Sequence, residues 1–185
     1  GNLIVVWETR GPAWEEPERR RKLAGALREL GVPHVTDPFK TLPVYTSSVA
    51  YFRLHGLGKE LYYYQFTDDE LKLLHRLVEP FEAGRREVYV LFNNLAMFDD
   101  GLRFKCYIET GKFPSLTGAV GRDSVKSVIE KTRYPVEKST LLKRLGWRLV
   151  EIEEGRQIRL SELLKDMPSK TYNDVQEVLH WMRLF

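Results

Sequence analysis

A single cysteine, Cys106, in 185 residues excludes an internal disulfide and, with no second cysteine beside it, any cysteine-rich zinc site. Long apolar runs are missing too. None approaches the roughly 20 residues that cross a bilayer, and no charged leader precedes an apolar stretch at the N-terminus. These absences predict a soluble cytoplasmic protein in a reducing setting, with no membrane partner. Charge of one sign is also scarce. Residues 1–114 hold 16 Lys/Arg against 16 Asp/Glu and residues 115–185 hold 13 against 10, so the formal charge of +3 sits in the tail. That excess falls short of the clustered basic face that nucleic-acid binding needs, and bulk charge leaves the partner undecided. No tract is dominated by one residue type and no internal repeat is evident.

What is present is a globular composition: 43% hydrophobic and 12% aromatic residues can build a sizeable core. Its richness in Glu, Lys and Arg fits a thermophilic source.

The apolar residues fall into an alternating pattern. Leu3-Ile4-Val5-Val6-Trp7 reads as a strand covered on both faces, ended by Glu8-Thr9-Arg10-Gly11-Pro12. Residues 15–30 read as a helix, with Leu23, Leu27 and Leu30 on one stripe and Gly31 as its stop. A short strand over 33–38 carries the polar tip Asp37, and a Pro-containing loop runs on to residue 48. A strand from Val49 ends in Arg53-Leu54-His55-Gly56. Thr67-Asp68-Asp69-Glu70 is a capping box for a helix that turns Leu71, Leu74, Val78 and Phe81 inward. A fourth strand over 87–92 ends in Asn93-Asn94 and precedes a helix over about 97–110. Strands alternating with helices imply parallel pairing, because parallel strands need crossover connections. The polar tips Glu8, Arg10, Asp37, Arg53, His55, Asn93 and Asn94 then share one edge, where sites of such folds are built.

The pattern changes from residue 115. A short helix opening at Asp123 or Ser124, a second over about 137–146, a hairpin around Glu153-Glu154-Gly155, and helices over 161–166 and 173–184 predict a small separate unit. The expected domains are therefore 1–114 and 115–185.

The tips also carry a resemblance. Val6-Trp7-Glu8-Thr9-Arg10-Gly11, Val35-Thr36-Asp37-Pro38, Tyr51-Phe52-Arg53-Leu54-His55-Gly56, Tyr62-Tyr63-Tyr64 with Thr67-Asp68-Asp69-Glu70-Leu71, and Val88 to Asn94 look like the C-terminal half of the YecE-like proteins, domain-of-unknown-function family 72. The resemblance covers about residues 3–114. It implies an α/β fold, namely the C-terminal half of a TIM-like (β/α) barrel with a small appended α+β module. It further implies a truncated chain, a split gene, or a half-barrel that completes itself, so a homodimer or the missing barrel half is the expected partner. The tail resembles a small helical domain of other uncharacterised proteins through Tyr134-Pro135, Leu163-Leu164 with Pro168, and Tyr172.

At the tips, Arg53 and His55 are two apart on one strand and point to the same side. With Asp37 and Glu8, His55 can form a proton-transfer site in which an acid holds the imidazole and Arg53 binds an anion; the competing reading is an ion-pair network that closes the barrel top. Glu8 can be a base, a metal ligand or the partner of Arg10. Asn93 and Asn94 offer uncharged donors and acceptors suited to a sugar hydroxyl or phosphate, and are equally ordinary turn residues. His55, Glu8 and Asp37 are thus the catalytic candidates, and Arg10, Arg53, Asn93 and Asn94 the ligand-binding ones. No local spacing marks a metal site, and no cofactor is named by the residues. His34, His75 and His180 read as surface or core packing residues, and Cys106 as a small buried hydrophobe. Tyr62, Tyr63 and Tyr64 can stack on a ring or pack on the barrel. Lys138, Lys143, Arg144 and Arg148 beside the hairpin leave a nucleic-acid or DNA-repair role as the rival to a small phosphorylated or sugar-like ligand. A plainer third reading is a subunit that completes a split barrel.

Overall fold

The computed structural model describes residues 3–84 and 86–182. The first part of the chain alternates as the periodicity predicts: β1 (Trp7–Glu8), α1 (Pro17–Leu30), β2 (His34–Val35), β3 (Val49–Leu54), α2 (Asp68–Ala83), β4 (Glu87–Phe92) and α3 (Met97–Thr110). β1 pairs with β2 and β3 with β4, both parallel. A parallel bridge between Thr36 and Phe52, with Arg53 N–H donating to the Thr36 carbonyl at 3.0 Å, joins the pairs. The strands thus follow one another in chain order.

Local chemistry accounts for the helix ends. Thr67 Oγ1 accepts from Glu70 N–H at 3.2 Å while Glu70 Oε2 accepts from Thr67 N–H at 2.8 Å, which closes the predicted capping box. Gly31 and Gly111 stop α1 and α3 in the left-handed region that glycine tolerates best. Leu71, Leu74 and Val78 of α2 pack on Ala50, Phe52 and Leu54 of β3, with Phe104 of α3 in the same core.

The fold is α/β, its strands forming small open sheets among the described residues. The structure corrects two other expectations. The run 3–7 is not a buried strand: only Trp7 and Glu8 are paired, Leu3 is 90% exposed and Trp7 55%. The physical reason is the lack of neighbours. β2 is two residues long, and β1 has no strand on its outer side, among the described residues, to extend the ladder. Leu30, expected on the inner stripe of α1, is also exposed.

The second part contains α4 (Gly121–Ile129), β5 (Val136–Glu137), α5 (Lys138–Leu145), β6 (Leu149–Glu153), β7 (Arg156–Arg159), α6 (Leu160–Leu164), β8 (Thr171–Tyr172) and α7 (Val175–Trp181). The predicted hairpin is β6–β7, antiparallel, with Gly155 at positive φ in its turn. The end of the last helix, placed by the periodicity at residue 184, lies outside the described residues. Val125, Ile129, Leu141, Val150, Leu160, Leu164, Tyr172 and Val178 form a second core, separate from the first. No helix among the described residues is long and apolar enough to cross a membrane.

Candidate functional site

Parallel strands place their C-terminal ends together, and here the ends of β1, β2 and β3 line a cavity of about 470 Å³. Glu8, Arg10, Asp37, Arg53 and His55, five of the seven residues singled out by the sequence, line it. Glu8 is the hub. Its Oε2 accepts from Arg53 Nη1 at 2.7 Å and from Arg10 Nη2 at 3.4 Å, and its Oε1 lies 3.8 Å from His55 Nε2. Partial burial pushes the Glu8 carboxyl up, but the hydrogen bond and charge of Arg53, then Arg10 and His55, outweigh it and hold the group below its usual value. A carboxylate so held is a weak proton acceptor; it pairs with Arg53 and faces His55.

Asp37 is the opposite case. Its side chain is 8% exposed, its Oδ1 accepts from the Phe39 backbone N–H at 3.1 Å, and its Oδ2 has no hydrogen-bond partner. Burial drives its carboxyl above the usual range, against the Phe39 amide and the charge of Lys40, whose Nζ stands 3.9 Å away. Burial likewise lowers the His55 imidazole below its usual 6.5, opposed by Glu8 and Asp37 and assisted by Arg53. Near neutrality the ring is mostly unprotonated and able to take a proton. The site therefore sets an ionised, hydrogen-bonded carboxylate beside a buried one with a free oxygen. Environments that separate two carboxyls in this way are those that acid–base sites use.

Asn94 lies outside the cavity. Its Nδ2 donates to the Tyr64 carbonyl at 2.8 Å and to Asp100 Oδ2 at 2.7 Å, deep in the first core. Asn93 is half-buried at the end of β4, where its N–H donates to the Leu54 carbonyl at 2.7 Å, and it does not line the cavity either. Asn94 belongs to a buried network around Asp100. Arg103 Nη1 donates to Asp100 Oδ1 at 3.2 Å and to the Phe66 carbonyl at 2.7 Å, and its Nη2 pairs with Asp68. Burial lifts the Asp100 carboxyl to about 7, opposed by the Asn94 hydrogen bond and the Arg103 charge. This network ties α3 to the segment leading into α2.

The tyrosine triplet divides three ways. Tyr62 lines the cavity, its ring centroid 5.7 Å from that of His55, and it has φ 72°, a left-handed conformation that costs a non-glycine residue on the order of 1 kcal/mol and recurs at ligand sites. Tyr63 packs edge-on against Trp147, and Tyr64 is buried beside Phe66. Thr36 and Lys40 also line the cavity, and neither stood out in the sequence; the only signal was their position, beside Asp37 and three residues after it. The Thr36 hydroxyl is a second buried group with no hydrogen-bond partner.

The remaining histidines and two of the four tail cations are engaged elsewhere. His34 is buried: its Nδ1 accepts from Val44 N–H at 3.4 Å and its Nε2 meets Thr9 Oγ1 at 2.9 Å, joining the ends of β1 and β2. His75 stacks edge-on with Tyr107 and His180 with Trp181. Cys106 is half-buried beside Thr110 rather than fully enclosed. In the tail, Lys138 donates to the carbonyls of Lys165 and Met167, and Arg148 pairs with Asp99 at 3.1 Å. Among the described residues no three or more His, Cys, Asp or Glu side chains are grouped to hold a metal ion.

No curated protein and no solved structure matches the chain. Residues 119–182 are similar to a family of unknown function, DUF5789. Residues 2–102, more than half of the chain, match the family described as protein of unknown function DUF72. With Glu8, Asp37, Arg53 and His55 of that stretch gathered round one cavity, the chain belongs to the DUF72 family.

Proposed function

We propose that the cavity binds a small phosphorylated or sugar-like ligand and moves a proton on it. One observation carries this: Asp37, whose Oδ2 is buried without a hydrogen-bond partner, lines a cavity that is also lined by the mostly neutral imidazole of His55. An unpartnered buried carboxylate oxygen is costly, and a ligand hydroxyl is a group that relieves it. In this reading Asp37 and the Thr36 hydroxyl receive ligand hydroxyls, the exposed Arg10 and Lys40 at the rim take the anionic group, and the Tyr62 ring covers a sugar face. His55 takes the proton, steadied by Glu8, and Arg53 keeps Glu8 ionised.

Three features of the fold belong to the same reading. The four parallel strands are an arc of a (β/α) barrel, the cavity is at its mouth, and residues 1–114 and 115–185 are separate domains, each with its own core. Glucose, glucose 6-phosphate and inorganic phosphate titrated against the protein, with the His55 ring signals followed by NMR, test it. Glucose 6-phosphate is expected to move those signals at millimolar concentration and more strongly than either component. His55→Ala should remove the binding heat and shift the thermal midpoint little. Silence from all three probes, or a collapse of stability in His55→Ala, would leave the cluster as an ion-pair network that closes the strand ends.

A further inference from the structure

A threonine hydroxyl has one hydrogen to give and lone pairs to receive, so what its oxygen already accepts decides what it has left to offer. Three threonines line the cavity. Thr36 is the unpartnered one described above, whereas Thr9 and Thr41 are held from outside the cavity. Thr41 Oγ1 accepts from Arg20 Nη1 of α1 at 2.8 Å, and Nη2 of the same guanidinium donates to the Leu42 carbonyl at 3.0 Å. Thr9 Oγ1 meets His34 Nε2 at 2.9 Å, and the other ring nitrogen settles which of them donates. His34 Nδ1 accepts from Val44 N–H at 3.4 Å, so the single proton of the neutral ring sits on Nε2 and is given to Thr9. Burial and the Arg20 charge, against the opposing charge of Glu15, hold that imidazole below its usual value and keep it neutral. Both hydroxyls therefore receive a hydrogen bond from the protein, and among the described residues neither gives one.

Each also adjoins a rim cation in the chain, Thr9 preceding Arg10 at the end of β1 and Thr41 following Lys40 in the loop after β2. Lys40 N–H and Thr41 N–H both donate to the Asp37 carbonyl, at 2.9 and 3.0 Å, which turns the chain back directly after Asp37. The ionised carboxylates of the cavity are already engaged, Glu8 by Arg53 and Arg10 and Glu15 by Arg20 at 3.1 Å.

We propose that Thr9, Arg10, Lys40 and Thr41 form one subsite of donors for a terminal phosphate, so that the ligand of this cavity is a phosphate monoester and not a neutral sugar or a sugar acid. This rests on the ligand reading above. A phosphate monoester brings three terminal oxygens and nearly two negative charges to two hydroxyl donors and two cations; a carboxylate brings one charge and a sugar hydroxyl none. Neither His34 nor Arg20 lines the cavity. They are positioning residues: by donating to the threonine oxygens they leave the hydroxyl hydrogens for the ligand.

Calorimetric titration of inorganic phosphate, glucose 6-phosphate, glucose and glucuronate against the protein, Thr9→Val and Thr41→Val tests this, because valine keeps the shape and removes the hydroxyl. A hydrogen bond to a charged group is worth about tenfold or more in affinity. Each variant is expected to weaken inorganic phosphate and glucose 6-phosphate by at least that factor and to leave glucose as it is, with circular dichroism unchanged. Glucuronate should bind more weakly than glucose 6-phosphate throughout. Thr41→Val leaves the His34 contact untouched and carries the test should Thr9→Val fold poorly. Nitrogen NMR near neutral pH should find the His34 proton on Nε2, with a signal that moves on adding phosphate to the wild type and not to Thr9→Val; a histidine that only packs would show no such difference. Unchanged phosphate affinity in both variants overturns the subsite, as does glucuronate binding as tightly as glucose 6-phosphate, and a His34 proton on Nδ1 overturns the positioning role. The ligand reading fails separately. Glucose 6-phosphate that moves the His55 signals but binds both variants as it binds the wild type keeps the ligand and loses the subsite, whereas phosphate binding that depends on both threonines with His55 silent does the reverse.

Discussion

At the scale of single residues, Asp37 holds a position that folding alone does not favour. Its Oδ2 is buried without a hydrogen-bond partner, the Lys40 ammonium standing 3.9 Å away, and its carboxyl is pushed up by that burial. A group whose folded value is raised binds its proton more tightly when folded than when unfolded. Its contribution to stability is therefore full below about 4, the unfolded value, and is lost as pH rises through the raised folded value. An asparagine amide at this position would keep an oxygen for the Phe39 N–H and carry no charge. Asp37→Asn should then raise stability by about 1 kcal/mol at pH 8, with the gain vanishing toward pH 4, as sites that trade stability for function do. Urea midpoints at the two pH values measure it. A loss of stability at pH 8 would mean that the Lys40 charge outweighs burial and that Asp37 is a structural ion-pair member.

At the scale of elements, the link between site and scaffold is the turn after β3. Gly56 has φ 98°, and a Cβ there would lie 2.4 Å from Tyr64 Cβ, a contact that flexible side-chain ends cannot relieve. Gly56→Ala should cost at least about 2 kcal/mol, from a strained backbone and displacement of a buried ring, and should move the neighbouring His55 out of register with Glu8. Chemical denaturation together with His55 NMR shifts checks this; a variant within half of that cost would show that the turn re-forms without the glycine. Much of this level was legible in the sequence. Thr67 with Glu70 announced α2, Gly31 and Gly111 announced helix ends, and the polar ends of four strands announced a shared edge, because each is a local chemical requirement. What was not legible depends on distant partners. The run 3–7 has the apolar character of a buried strand, but a strand is buried only by its neighbours, and β1 has one short one among the described residues. Asn94 reads like a tip residue until Asp100 and Tyr64 are brought to it, and the Asp68–Arg103 pair spans 35 positions that no spacing rule connects. The partner of His34 is hidden for the same reason, since Thr9 belongs to the neighbouring strand end.

At the scale of the whole molecule, two hydrophobic cores meet across a narrow polar joint, and Arg159 is its centre. Its guanidinium lies 4.1 Å from the Tyr64 ring centroid and donates to the carbonyls of Gln65 at 3.3 Å and Trp147 at 3.0 Å. Gln65 Oε1 returns a contact by accepting from Leu149 N–H at 3.0 Å, and Asp68 N–H donates to Gln157 Oε1 at 3.1 Å. Tyr64 itself donates to Glu70 Oε1, so the joint is continuous with the start of α2 and, through the 56–64 turn, with the cavity. Two cores unfold together only if the coupling between them is comparable to the stability of the weaker one. Removing a cation–π contact and two charge-assisted hydrogen bonds, and leaving buried carbonyls unpaired, costs about 3 kcal/mol. The partly exposed Arg148–Asp99 pair beside it is worth less than about 1 kcal/mol. Calorimetry of the intact chain is therefore expected to show one transition, retained in Arg148→Ala and split into two in Arg159→Ala. A single transition at an unchanged midpoint in Arg159→Ala would mean that the two cores are coupled by apolar contact alone and that the joint transmits nothing to the cavity.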